Sequence, residues 1–155
     1  MSKAAIVISL LYVTLVCHAQ NSTLEPNFVA LIVIDIDTSV QWYSNTLGFS
    51  EIDRVSSKEK GFKQSNLQRG NIRIELVELD NAISPKAIVP GYDAQTRMIG
   101  FFKVGFLVTD FEKWVIDLKE KKVEFYGNVV KDDLTGKRMM IALDPDGNRI
   151  QIYEK

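Results

Sequence analysis

The residues FVALIVID at positions 28–35 return as KVGFLVTD at positions 103–110, 75 positions further along the chain. Both stretches are continuous apolar runs with β-branched and aromatic residues, which is typical of buried β-strands. The repeat therefore predicts two buried strands that occupy equivalent places in two halves of one chain.

An amphipathic helix is predicted after each of these strands. In the first half, Asp37 is the expected N-cap and Gly48 the expected end of the helix. In the second half, Asp110 is the expected N-cap. The residues at helical spacing predict a buried stripe on each helix, formed by Val40, Tyr43 and Leu47 in the first and by Phe111, Trp114, Val115 and Leu118 in the second.

Three more strands are predicted after each helix, at about 49–56, 61–68 and 71–79 in the first half and 123–126, 137–143 and 148–153 in the second. The last strands also repeat, since RIEL at 73–76 matches RIQI at 149–152. Each half is therefore a βαβββ unit. The sequence predicts an α+β fold with mixed sheets and helices outside, made of module one (about 28–79), a connector (80–99) and module two (about 100–155).

Side-chain alternation with a period of two sorts the residues of the last strands onto two faces. Ile74, Leu76, Ile150 and Ile152 are expected to pack against the helices. The opposite face then receives a set of candidate ligand-binding residues, namely Phe28, Arg73, Glu75, Lys103, Arg149, Gln151 and Tyr153. Apolar walls with a few convergent polar groups are the usual make-up of a small-molecule site.

The first 19 residues are typical of a secretory signal peptide. Lys3 precedes an apolar run of about 13 residues, and Ala19 closes a cleavage site. The run is shorter than the roughly 20 residues that span a bilayer. The sequence therefore predicts an exported protein, periplasmic or secreted, with residues 20–27 as a flexible mature N-terminus. A membrane anchor or a buried strand is the alternative.

Export would leave a chain without imidazole or thiol, because Cys17 and His18 are the only cysteine and the only histidine. Histidine acid–base steps, cysteine nucleophiles and His- or Cys-ligated zinc are then excluded. Without Lys3 the net charge becomes −2, and no long basic run is present. This charge balance argues against a nucleic-acid or anionic-membrane partner.

The paired βαβββ units, the segment WY…LGF at 42–49 and the turn DPDGNRIQI at 144–152 resemble the vicinal oxygen chelate superfamily. This superfamily includes glyoxalase I, bleomycin-resistance proteins and extradiol dioxygenases. The resemblance covers nearly all residues from 27 onward. It implies two modules around one shared cavity, and homodimers are frequent among its members. Trp42 falls off its helix stripe, so it either covers the helix edge or contacts a second copy.

The resemblance also indicates where its metalloenzymes hold their metal. The four ligand positions fall on Phe28, Glu75, Lys103 and Gln151, of which only Glu75 keeps a usual ligand. A phenyl group cannot ligate a metal, and a lysine must first lose a proton from a group whose pKa is about 10.4. We therefore expect the fold without the metal and without another cofactor.

Three functions stay open at this point. The first is a protein that binds a small organic molecule in a metal-free cavity. The second is a lyase or isomerase that acts on a carbonyl compound with Glu75 as the catalytic base and Lys103 as electrostatic partner. The third is a non-catalytic interaction module whose cavity is closed by its own side chains. A separate alternative for the two charges is that Glu75 and Lys103 pair with each other. The acidic pair Asp144 and Asp146 is expected to serve the turn and not a calcium ion.

Overall fold

The computed structural model describes residues 26–93, 95–96 and 98–155. The first module contains β1 (Val29–Val33), α1 (Ile36–Leu47), β2 (Ser50–Ser57), β3 (Phe62–Arg69) and β4 (Ile72–Leu79). A short helix, α2 (Pro85–Ile88), lies in the connector. The second module contains β5 (Val104–Val108), α3 (Phe111–Glu120), β6 (Val130–Lys131), β7 (Arg138–Leu143) and β8 (Arg149–Glu154). The predicted signal peptide falls on residues that lie outside the described part of the chain.

Each module forms one four-stranded mixed sheet, with the orders β1-β4-β3-β2 and β5-β8-β7-β6. In both sheets the first strand runs parallel to the last strand of its module, and the remaining pairs are antiparallel. These two equivalent sheets confirm the predicted α+β fold and the pair of βαβββ units. Among the described residues, no helix is long and apolar enough to cross a membrane.

The two faces of each sheet differ in burial as the alternation predicts. Ile74, Leu76, Ile150 and Ile152 are buried in the core together with Tyr43 and Leu47 of α1 and Leu118 of α3. The other face of each sheet carries side chains that are exposed or half-buried, apart from Gln151. We call these surfaces the open faces. On them, Ala30 lies beside Glu75 in the first module and Gly105 lies beside Gln151 in the second.

The helix starts differ from the prediction. The N-cap of α1 is Asp35 and not Asp37, because the Asp35 carboxylate accepts the Thr38 amide at 2.7 Å. Asp110 does stand at the N-cap of α3, but its side chain makes no capping bond and its φ is 54°. Gly48 ends α1 in the left-handed conformation, with a φ of 70°, as expected of a helix C-cap.

The edge of the second sheet also corrects the sequence interpretation. A continuous strand at 123–126 is wrong, since only Phe125 forms a β-bridge, with Ala142. The edge strand proper is β6, two residues long and located after Gly127. Gly127 has a φ of 81°, which turns the chain away from the sheet between the bridge and β6. The edge of this sheet therefore consists of two short pairings with β7, the bridge at Phe125 and the strand β6.

The two modules are joined by reciprocal contacts between each helix region and the last hairpin of the other module. On one side, the Tyr43 hydroxyl donates to Asp144 and the Ser39 hydroxyl donates to Asp146, at 2.9 and 3.3 Å. On the other side, the Arg69 guanidinium lies 5.1 Å from the Trp114 ring centroid. The molecule is therefore held together by polar and aromatic contacts that neither module makes alone.

Asp144 also closes its own turn. Its Oδ1 accepts the backbone amides of Asp146 and Asn148 at 3.0 and 2.8 Å. This geometry agrees with the expectation for Asp144. The Asp146 carboxylate instead serves the other module, since it accepts the Ile34 amide at 3.2 Å and the Ser39 hydroxyl at 3.3 Å.

Candidate functional site

The open face of the first module carries Glu75 near its centre. The Gln64 side-chain amide donates to Glu75 Oε2 at 2.9 Å, across the β3–β4 pair. Phe28 precedes β1, and its side chain is 56% exposed. Arg73 is exposed and lies opposite Gln68 on β3. Among the described residues Arg73 makes no ion pair, so it is available at the rim of this face.

Cations and aromatic rings cluster on the second module. The Lys103 ammonium lies 5.6 Å from the centroid of the Phe102 ring, and the Arg149 guanidinium lies 4.8 Å from the same centroid. Arg149 also lies 5.0 Å from the centroid of the Tyr126 ring. Cations over aromatic faces are held by the ring quadrupole. Lys103 and Arg149 are thus brought together on one aromatic platform.

The remaining two candidates are engaged within the second module. The buried Gln151 side-chain amide donates to the Met139 sulfur at 2.8 Å. The Tyr153 hydroxyl donates to Asp132 at 2.8 Å and also contacts the Thr135 hydroxyl. Donation from Tyr153, and secondly from the Leu134 amide, holds the pKa of Asp132 below its usual value. Tyr153 is therefore held in place by a charged acceptor.

Glu75 and Lys103 do not form the ion pair that one of the sequence alternatives required. No salt bridge within 4.0 Å joins them in the described chain, where Glu75 is bonded to Gln64 and Lys103 lies against Phe102. The alternative in which they pair is wrong. Each charge instead has its own neighbours, in different modules.

The donor set at the four family positions does not fit a divalent metal. Phe28 offers no donor atom, Lys103 is a cation, and the amide of Gln151 is turned toward Met139. Glu75 is the one carboxylate among them. Three or four anionic or imidazole ligands are the usual requirement. In the described residues no group of three or more His, Cys, Asp or Glu side chains could hold a metal ion.

Several cavities lie where the described parts of the modules meet, and sequence reasoning did not identify them. One has a volume of about 550 Å³ and is lined by apolar side chains, Arg69, Asn71 and Trp114. Another has a volume of about 370 Å³ and is lined by Asp146, Asn148 and residues of the connector. The only hint in the sequence is that the hairpins at 69–72 and 144–148 hold equivalent places in the repeat.

Comparisons of the sequence and of the fold with known proteins agree with one another. The family model described as "Glyoxalase/Bleomycin resistance protein/Dioxygenase superfamily" matches residues 25–152. Human mitochondrial methylmalonyl-CoA epimerase is 28% identical over 120 residues, which cover 77% of this chain and 66% of that protein, just under two thirds of its length. The bovine epimerase is 29% identical over 120 residues, covering 77% of this chain and 67% of that protein. The crystal structure of a glyoxalase family protein from Enterococcus faecalis superposes with a TM-score of 0.72 and 25% identity, covering 84% of this chain and 97% of that one.

Proposed function

Since this chain belongs to the glyoxalase/bleomycin resistance protein/dioxygenase superfamily, we propose that it binds a small organic molecule on its open faces without a divalent metal. The observation that carries this proposal is the donor set at the four family positions, where Phe28 and Lys103 replace metal ligands. We further propose that residues 1–19 direct export and that the mature protein, from Gln20 onward, works outside the cytoplasm.

The chemistry of the open faces supports a ligand with an apolar body and a polar end. Phe28, Ile32 and Leu107 are 56, 58 and 65% exposed there, although large apolar side chains are usually buried. Glu75 and Lys103 flank them with one charge of each sign. An apolar wall with a few polar groups suits a small organic molecule better than a macromolecular surface.

The proposal is tested on mature protein purified from its own exported compartment, by native mass spectrometry and elemental analysis. We expect a bound small molecule, or an empty protein that takes up organic ligands, with no stoichiometric metal. One equivalent of metal that is lost in a Glu75→Gln variant would contradict the proposal. The same spectra report whether the protein forms a homodimer. N-terminal sequencing that begins at Gln20 would support export, and an intact residue 1 would contradict it.

An enzyme of the isomerase or lyase class is a second candidate, favoured by the similarity to methylmalonyl-CoA epimerases. An epimerase inverts a stereocentre, which next to a carbonyl is done by removing and returning a proton. Glu75 is the available base, because Gln64 holds one carboxylate oxygen and leaves the other without a bond to any described residue. Lys103 on its aromatic platform would offer positive charge to a developing enolate.

This candidate is tested by incubating the protein with methylmalonyl-CoA in D₂O and following deuterium at the carbon next to the carbonyl. If the chain is such an enzyme, the wild type exchanges that proton and Glu75→Gln loses the exchange by at least about a hundredfold. Gln64→Ala, which removes only the neighbour, is the matched control and keeps most of the activity. Exchange that survives Glu75→Gln would remove Glu75 as the base.

The third function, a module closed by its own side chains, has the least support. It requires that no ligand-sized space be present, whereas cavities of about 550 and 370 Å³ lie at the module junctions. Ligand pockets commonly measure about 300–1,000 Å³. The exposed apolar residues of the open faces also argue against a closed interior.

A further inference from the structure

The internal repeat creates two equivalent junctions between the modules. At the first, the hairpin of module one, including Gly70 and Ile72, lies beside the end of β5 at Leu107 and Val108. At the second, the hairpin of module two lies beside the end of β1 at Ile32 and Val33. Shifting the sequence by 75 positions carries residues 32–34 onto 107–109, and shifting it by 76 carries residues 70–72 onto 146–148. The two cavities therefore share the strand end and the hairpin that border them, while the rest of each lining differs.

The cavity at the second junction is covered by the connector of the chain itself. Residues of the connector line the cavity at the second junction, with Ala82, Ile83, Pro85 and Tyr92 among them. The cavity at the second junction thus accommodates aliphatic and aromatic side chains. At the first junction no described residue of the connector contributes to the lining, and the cavity is the larger of the two.

We propose that the cavity at the first junction is a second binding site, for a small molecule with an aromatic or aliphatic body and a carboxylate. The body would lie against Phe49, Phe106 and Leu107, and the carboxylate would meet Arg69. Neither Glu75 nor Lys103 lines this cavity, although Leu107, at the end of β5, borders both the cavity and the open face of the second module. This second binding site does not depend on the function proposed above.

The arrangement of Arg69 favours an anion with a planar, two-oxygen head. Its ring contact with Trp114 and its hydrogen bond from Nη1 to the Leu47 carbonyl fix the guanidinium at the mouth of the cavity. Nε and Nη2 make no hydrogen bond to any described residue. A guanidinium held in this way loses little freedom on binding a carboxylate through two parallel bonds.

The charges around the cavity are compatible with this ligand. Asp110 and Asp117 lie on the far side of Arg69, in the adjoining groove, and Asp117 is bonded to Lys113. Lys121 adds a cation in that groove, where it donates to the Thr46 carbonyl at 3.3 Å. Among the described residues that line the cavity itself, Arg69 is the one charged residue, with Asn71 and Thr109 as neutral polar partners.

The difference in charge between the two junction cavities also favours a negatively charged ligand. The cavity at the second junction is lined by Asp146 and by Lys86, and this lysine comes from the connector. In the repeat, Gly70 occupies the position that corresponds to Asp146 in the other hairpin. The cavity at the first junction therefore has no aspartate at this position, and Arg69 is the neighbouring residue. A negatively charged ligand therefore suits the cavity at the first junction, and a positively charged ligand does not.

The test uses 4-phenylbutyrate as the probe and its neutral amide, 4-phenylbutyramide, as the matched control. Binding to the full chain is followed by tryptophan fluorescence and by ¹H–¹⁵N NMR spectra. We expect saturable binding that shifts the signals of Gly70, Asn71 and the Trp114 indole, with the amide at least about tenfold weaker. Arg69→Gln should weaken 4-phenylbutyrate about tenfold, and Arg73→Gln, on the open face, should leave the affinity unchanged.

A second variant guards against a loss of folding in Arg69→Gln. Leu107 is 65% exposed, so Leu107→Gln should fold normally and weaken both probes by several-fold through the lost apolar contact. Shifts confined to residues around Glu75 and Gln151, or an affinity that neither variant changes, would overturn the proposal. It would also be overturned if residues before Pro26, or a second copy of the chain, already contact Trp114 in the free protein and exclude the probe.

Discussion

The hydroxyl of Tyr43, on the helix of the first module, donates a 2.9 Å hydrogen bond to Asp144 in the last hairpin of the second. Both residues are buried, and the bond spans 101 positions of the chain. Burial, together with the nearby Asp144 carboxylate, raises the pKa of Tyr43, so the phenol stays protonated and remains a donor.

Removing this hydroxyl should destabilise the whole protein. Tyr43→Phe leaves a buried acceptor with one donor fewer, and hydrogen bonds to charged groups contribute about 1.5–3 kcal/mol. We expect a loss of that size in the free energy of unfolding, measured with urea. Tyr153→Phe is the matched control, because its bond to Asp132 lies nearer the surface and should contribute less than about 1 kcal/mol. Equal losses in the two variants would contradict the assigned role.

Asp146 should make stability depend on pH in the acidic range. Burial raises the pKa of Asp146 above 3.8. The hydrogen bond from the Ile34 amide opposes this shift, and the charge of Asp144 adds to it. The folded state then binds this proton more tightly than the unfolded state, so the contribution is greatest below pH 3.8 and is lost as the pH rises through the raised pKa.

The variant Asp146→Asn removes that dependence. Its amide oxygen can still accept from Ile34, so we expect it to gain stability relative to the wild type between pH 4 and pH 7. Asp144→Asn is the contrasting variant, because its carboxylate accepts from Tyr43 and twice from Asn148, and it should be destabilised at every pH. Parallel pH curves for wild type and Asp146→Asn would count against the shifted pKa.

Glu154 should give the opposite dependence. The Arg138 side chain, and after it the Arg138 backbone amide, donates to Glu154 and lowers the pKa of Glu154 to about 2. A lowered pKa contributes stability above about pH 4.5 that is lost as the pH falls toward 2. Glu154→Gln should flatten the unfolding curve in that range, whereas Glu112→Gln, which removes the more exposed partner of Arg138, should change it less.

Introducing histidine at two positions should create a metal site. Phe28→His with Lys103→His would place two imidazoles with Glu75, a ligand set that zinc sites use. We expect the double variant to bind about one equivalent of zinc by calorimetry, and adding Glu75→Gln to weaken that binding. Failure of a folded double variant to bind zinc would show that these three positions do not converge on one point.

The repeat in the sequence was enough to predict two mixed sheets, the helices α1 and α3, and which face of the first and last strands is buried, but not the edge strand of the second sheet. Ile74 and Ile150 are both fully buried, as their spacing required. The local details were harder, because several nearby residues compete for the same role. Asp35 and Asp37 both suit an N-cap, and only the path of the backbone out of β1 decides that Asp35 accepts the Thr38 amide.

The junction cavities were beyond the sequence because they depend on how two modules pack together. Arg69 is an ordinary strand residue in its own module, and its role arises from Trp114 of the other. The separation of Glu75 from Lys103 has the same cause. Alternation places each on an open face, but it gives no distance between side chains that belong to different sheets.

The contact between Tyr43 and Asp144 also bears on when the protein becomes stable during synthesis. The first module is complete in the chain once Leu79 has been made, but its buried phenol has no partner until the ribosome has added nearly all of the second module. A nascent chain halted between these points would hold a half-built core with an unmatched polar group, an easy substrate for chaperones and proteases. We therefore expect the first module to gain its full stability only after the final hairpin has been made.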